Sequence, residues 1–155
     1  MKKVILGIVF LIGVAAAVQA QPRAIGGRIG WGLEASYQHG FGSSNMLQAD
    51  LGLLGFRGIS GVVTYDWIWG FNSWKEKGSW NWYAGVGGGA GFSWHRNGYG
   101  YIGVAGMIGV EYNFWFPLQL SLDYRPVIGP YFGSGGGFFS DGLVGIALSV
   151  RYKFR

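Results

Sequence analysis

Cysteine is absent from this 155-residue chain, which excludes disulfide scaffolds, thiolate nucleophiles, Cys-ligated zinc or iron–sulfur centres, and a lipoprotein's acylated cysteine. Charge is scarce: 12 Lys and Arg against 7 Asp and Glu make up 12% of the chain, half the roughly 25% usual in soluble domains. The two histidines, His39 and His95, stand apart and show no metal-ligand spacing with carboxylates, so no metal or other cofactor is expected. Beyond residue 18 no apolar run approaches the length of a transmembrane helix. What the chain does have is 31 Gly, 18% aromatic residues and a hydrophobic fraction of 50%. Each Gly in a helix interior costs about 1 kcal/mol, so this composition suits neither a helix bundle nor a doubly wound α/β domain. The apolar fraction also excludes a disordered chain. An all-β chain of one domain remains.

Residues 1–20 have the form of a secretory signal. Lys2 and Lys3 precede the apolar run Val4–Val18, and Val18-Gln19-Ala20 places small residues at the −3 and −1 positions of a cleavage site. Residues 21–155 are then the expected mature chain, and its folding domain. Lys2 and Lys3 account for two of the formal charges in the net +5, and the small remainder argues against a nucleic-acid partner. An exported, apolar chain without a membrane helix is either a periplasmic or secreted β protein or an outer-membrane β-barrel.

Alternation with a period of two favours the barrel. In residues 25–37, Ile25, Ile29, Trp31, Leu33 and Tyr37 share one parity, opposed by Gly26, Arg28, Glu34 and Ser36. In residues 80–94, Trp80, Trp82, Val86, Phe92 and Trp94 oppose Asn81, Tyr83, Gly85, Gly87, Gly89 and Gly91. At the end of the chain, Val144, Ile146, Leu148, Val150, Tyr152 and Phe154 oppose Gly145, Ala147, Ser149, Arg151 and Lys153. Charge placement is the sharper test. Arg28, Glu34, Asp50, Asp66, Glu111, Asp123, Arg125, Arg151 and Lys153 all fall on the polar parity of their runs, and no charge falls on the apolar parity. A soluble sandwich would bury its bulky face and solvate a polar face of Lys, Glu and Thr. Here the polar face is small and Gly-rich, as suits a narrow lumen, whereas the bulky face excludes charge, as lipid requires at about 2–4 kcal/mol per midplane charge. The nine lumen charges are expected to pair as a polar network that fills the interior.

These patterns predict an eight-stranded antiparallel up-and-down transmembrane β-barrel with strands near 24–31, 33–39, 46–54, 59–70, 80–93, 101–113, 117–126 and 142–154. Connections at 40–45, 71–79 and 114–116 share an end with the termini and would face the periplasm. Those near 32, 55–58, 95–100 and 127–141 would face outward. A rival count keeps one long first strand and takes a short extra one from Tyr131–Phe139, but Gly133–Gly137 is too Gly-rich to cross. Aromatic residues gather at the run ends, where Trp67, Trp69, Trp80, Trp82, Tyr112, Tyr152 and Phe154 form an expected interfacial girdle.

The segment Gly145–Phe154, which alternates apolar residues and ends on an aromatic, resembles the final-strand signal of outer-membrane proteins. The stretch from Gly109-Val110-Glu111-Tyr112-Asn113 to Ser121-Leu122-Asp123-Tyr124-Arg125-Pro126 resembles hairpins of small outer-membrane barrels. Residues 21–155 as a whole resemble the eight-stranded barrels of the OmpA/OmpX type. That resemblance implies residence in the outer membrane of a Gram-negative bacterium, contact with its lipids and lipopolysaccharide, and delivery to the barrel-assembly machinery through the C-terminal strand. The placement of charge on one parity leads to the expectation of a monomeric barrel with a structural or surface-interaction role.

Two alternatives stay open. Small barrels include lipid-A-modifying enzymes, and Ser93 with His95, joined by Asp141 from the last outer connection, is the one close Ser/His constellation, though loops and strand ends commonly carry such residues. The lumen charges could instead line a narrow pore. Gly98-Tyr99-Gly100-Tyr101-Ile102-Gly103 matches a dinucleotide-loop pattern, but it leads into a strand rather than a helix and is expected to be a loop–strand junction.

Overall fold

The computed structural model describes residues 22–53, 57–71, 77–95, 98–133, 135–140 and 145–154. The expected signal segment, residues 1–20, lies outside the described residues, as does Asp141. Ten strand segments follow in order: β1 Pro22–Ile29, β2 Leu33–Phe41, β3 Asn45–Leu53, β4 Gly58–Phe71, β5 Ser79–Ser93, β6 Tyr99–Asn113, β7 Leu118–Tyr124, β8 Val127–Gly133, β9 Gly137–Ser140 and β10 Ile146–Lys153. Each described neighbour pair is antiparallel, and β1 closes on β10 from Ala24↔Lys153 to Ile29↔Leu148.

The ten segments make eight walls. Both β7 and β8 pair with β6, from Asn113↔Gln119 up to Tyr99↔Gly133, so together they form one strand interrupted at Arg125-Pro126. Pro126 has no N–H for the ladder, and its carbonyl instead accepts from the Gly106 N–H at 3.0 Å. In the same way β9 continues the line of β10: β10 pairs with β7, and β9 pairs with β8. The result is a closed eight-stranded antiparallel up-and-down barrel.

The expected division of residues 24–39 into two strands is present, with the turn at Gly30-Trp31-Gly32. The expected outer connection 127–141 needs correction. Ladder pairing carries the seventh and eighth walls through Ile128↔Ser140 to Tyr131↔Gly137. The Gly-rich stretch Gly133–Gly137 made this segment read as loop. In the barrel, Gly129 instead lies so close to β6 that a Cβ there would sit 2.0 Å from the Ile102 carbonyl oxygen. The Gly98–Gly103 motif opens β6, with Gly98 in a left-handed turn conformation (φ 69°).

Side chains alternate as the pleat requires, and the arrangement is inside-out relative to a water-soluble fold. On β10, Ala147, Ser149 and Arg151 are buried in the lumen while Ile146, Leu148, Val150 and Tyr152 are exposed on the outer surface. The same holds on β6, where Val104 is 70% exposed and Glu111 is fully buried. Two small apolar clusters share the interior with the polar groups: Val62, Tyr101, Ala105 and Val127 in one, Met46, Tyr83 and Met107 in the other.

Candidate functional site: the lumen network

The lumen is filled by two linked groups of charged and amide side chains. In the first, Arg28 Nε and Nη2 donate to Asp123 Oδ1 at 2.9 and 2.6 Å, and its Nη1 donates to Glu34 Oε2 at 2.9 Å. Arg125 reaches Asp50 Oδ2 at 2.5 Å and both oxygens of Glu34 at 2.8 and 3.0 Å. Glu34 therefore bridges two guanidiniums. The Arg125–Asp50 pair joins the β7/β8 wall to β3 on the opposite side of the ring, so it lies across the bore. Tyr83 adds a 3.3 Å hydrogen bond to Asp123 Oδ2.

The second group centres on Glu111, fully buried on β6. Arg23 forms an ion pair with it, and Asn81, Asn113 and Gln119 each donate an amide N–H to it, at 2.8, 3.1 and 2.9 Å. Five donated hydrogen bonds on one carboxylate, two of them from Arg23, meet the desolvation demand of a buried charge. Arg23 also donates to Gln38 Oε1, Gln38 donates to Gln48, and Gln48 donates to Asp50 Oδ2, which couples the two groups. Arg151 is held by hydroxyls, donating to Ser36, Ser121 and Ser149 at 2.7–3.1 Å and to Gln119 Oε1 at 3.4 Å. Asp66 accepts from Thr64 and forms none of the described ion pairs. Lys153 is half-buried at the barrel end that carries the termini, on the inward parity.

Of the residues singled out from sequence, Arg28, Glu34, Asp50, Asp123 and Arg125 meet directly, whereas Glu111 pairs with a residue outside the nine. Arg23 was hidden by backbone geometry. It shares odd parity with outward-facing Ile25 and Ile29, but the register of β1 on β2 shifts between Pro22 and Ala24, and this bulge turns its side chain inward. We expect Arg23→Met to lower unfolding stability by about 1–2 kcal/mol, because three amide donors remain on Glu111 and the guanidinium is partly exposed. Urea unfolding of the detergent-folded barrel, compared at constant m-value, measures this.

Above the first group, towards the Gly30–Gly32 turn, lies a cavity of about 30 Å³, room for one or two waters. Arg28, Glu34, Ser60 and Arg125 are its polar lining residues, and Val62, Tyr101 and Val127 are among the others. Among the described residues no group of three His, Cys, Asp or Glu side chains is placed to hold a metal ion.

Ser93 and His95 stand at the same end. The Ser93 hydroxyl donates to the Arg57 carbonyl at 3.0 Å, and the His95 contact to it comes from the backbone N–H at 3.4 Å, with the imidazole side chain exposed. This is the hydrogen bonding of a strand-end turn, and the hydroxyl proton is committed away from the ring.

On the outer surface at the end carrying the termini, Trp69 stacks on Trp82 with centroids 4.2 Å apart, Trp80 lies 4.8 Å from Tyr112, and Tyr152 lies 5.5 Å from Phe154. Sequence reading missed that His39 joins this belt. It lies on the outward parity yet is buried, between Tyr37, whose hydroxyl is 3.3 Å from Nδ1, and the Phe41 ring at 5.0 Å. No protein-family model, curated protein or solved structure matches the chain.

Proposed function

We propose that the chain is an integral outer-membrane β-barrel of the OmpA/OmpX type, with a structural or surface-interaction role and a lumen closed by its own side chains. The observation that carries this reading is the inversion of burial. Arg28, Asp50, Glu111, Asp123, Arg125 and Arg151 are each 5% exposed or less, while Leu51, Ile29, Val104 and Leu122 are 58–70% exposed. A continuous apolar girdle of this extent far exceeds the few hundred Å² tolerated on soluble monomers. On β5 the span from Trp82 to Phe92, at about 3.3 Å per residue and a tilt of about 40°, covers about 25 Å, the height of an outer-membrane apolar band.

The plugged lumen argues for the structural role over a pore, since the Arg125–Asp50 pair occupies the bore itself. The test is cell fractionation with gel mobility. The protein is expected in the detergent-extracted outer-membrane fraction, migrating faster unheated than boiled, and giving no conductance steps in planar bilayers. Recovery in the soluble periplasm without a heat-dependent shift would overturn the membrane reading. Discrete conductance steps would replace the plug with a pore.

A further inference from the structure

We propose that Arg57 and His95 hold the phosphate of an outer-leaflet lipid, whose acyl chains lie on the apolar band directly below. The two residues come from different turns, and Ser93 ties those turns together. Its hydroxyl donates to the Arg57 carbonyl at 3.0 Å and accepts from the His95 backbone N–H at 3.4 Å, so one oxygen atom joins the two backbones. The Trp94 N–H also donates to the Arg57 carbonyl, at 2.9 Å, one step beyond the ladder pair Gly58↔Ser93. On these fixed backbones the Arg57 and His95 side chains are exposed. Neither has a hydrogen-bond or ion-pair partner among the described residues. Every described acidic side chain is turned into the lumen, so no described carboxylate competes for this pair.

The depth of the pair selects a headgroup. Phe92, opposite Ile59, marks the edge of the apolar band, and Arg57 lies on the outward parity of Ile59, about 7 Å further along the strand. Trp94, 54% exposed at the same level, is the aromatic residue typical of a membrane–water boundary. An arginine there lays its aliphatic stem along apolar surface and raises its guanidinium among the headgroups. The guanidinium offers a fork of N–H donors to phosphate oxygens, and the imidazole adds one more. Below the pair, the outward row Leu51↔Gly61↔Ala90↔Ile102 dips in the middle, because small residues stand between Leu51 and Ile102, 67% and 56% exposed. An acyl chain descending from a phosphate at Arg57 packs into that dip. This inference rests on the membrane reading, and the two fail separately. A barrel recovered from the outer membrane whose Arg57→Gln variant binds the lipid as the native chain does would lose this site alone.

The test titrates the full mature barrel, folded in a neutral maltoside detergent, with didecanoyl phosphatidic acid. The readouts are the Arg57 Nε–H resonance and the lipid retained in native mass spectrometry. Phosphatidic acid should shift the resonance saturably, and didecanoylglycerol, which lacks the phosphate, should not. Arg57→Gln should weaken retention about tenfold, the worth of a charge-assisted hydrogen bond, and His95→Ala about threefold. Lys77→Gln removes an exposed cation at the opposite end of the barrel and should change nothing. All three substitutions fall on exposed side chains and leave the backbone hydrogen bonds of the two turns in place. Unchanged retention in Arg57→Gln or His95→Ala, or an equal loss in Lys77→Gln, overturns the site. Inorganic phosphate that shifts Arg57 at the same concentration as the lipid also overturns it, in favour of a site for free anions.

Discussion

Gly87→Ala will prevent the barrel from closing, while Gly88→Ala, one residue along, will fold as the native chain does. Gly87 faces the lumen on β5, opposite Thr64. A Cβ there would sit 1.9 Å from the Val63 carbonyl oxygen and 2.7 Å from the Thr64 Cα, both backbone atoms of the neighbouring strand. No rotamer change relieves such a contact, and separating β4 from β5 would break the ladder that runs between them. Gly88 faces outward, where the nearest atom to an added Cβ is the Gly103 carbonyl oxygen at 3.5 Å, an ordinary contact. Overpacking against movable side chains costs about 1–3 kcal/mol, and a clash with backbone exceeds that, against a total stability of about 5–15 kcal/mol. At Gly88, alanine removes the entropy cost of a strand glycine and should be neutral or stabilising by up to about 1 kcal/mol. The folded fraction after dilution into detergent, read from unheated gel mobility, separates the two. Equal folding of both variants would show that the inward glycines are not needed for strand approach.

This contrast also explains why the glycine content was only partly readable. Alternation placed Gly85, Gly87, Gly89 and Gly91 on the lumen side, but not the distances that demand them there: at Gly85 a Cβ would meet Asp66 Oδ1 at 2.0 Å and the Tyr65 carbonyl oxygen at 2.2 Å. Inward and outward assignment was legible because a two-residue period survives in any strand that one medium touches on each face. It failed where the backbone departs from that period, as at the bulge that turns Arg23 inward. It also failed where the Gly-rich stretch Gly133–Gly137 made residues 127–141 read as a connection, although β6 continues to supply ladder partners as far as Gly133. That the lumen charges pair was legible, and Arg28 with Glu34 follows from the first hairpin, but the long-range partners were not. Arg125 and Asp50 are 75 residues apart, and their meeting follows from ring closure rather than from any local spacing. Ser93 and His95 illustrate the converse. Their proximity was plain in the sequence, but the acceptor that takes the Ser93 hydroxyl proton is the Arg57 carbonyl, which no local pattern singles out.

Arg125→Met will destabilise the barrel by about 3–5 kcal/mol, the usual cost of leaving a buried carboxylate without its cation. The carboxylate in question is Asp50. Its side chain is 1% exposed, its Oδ1 has no partner among the described residues, and without Arg125 its Oδ2 keeps only the Gln48 amide. Glu34 suffers less, because Arg28 remains within 2.9 Å and the open end is near. The double variant Arg125→Met/Asp50→Leu should therefore recover most of the loss, since an apolar pair of similar volume replaces two buried charges at little net cost. A double-mutant cycle in urea gives the coupling directly, and we expect it to exceed about 2 kcal/mol. The same cycle distinguishes a filler from a gate. If the ion pair serves only to satisfy buried charges while occupying the bore, the double variant stays folded and non-conducting. If it holds a pathway shut, the single variant conducts in planar bilayers before it loses its fold, and the leucine and methionine that restore stability do not restore closure.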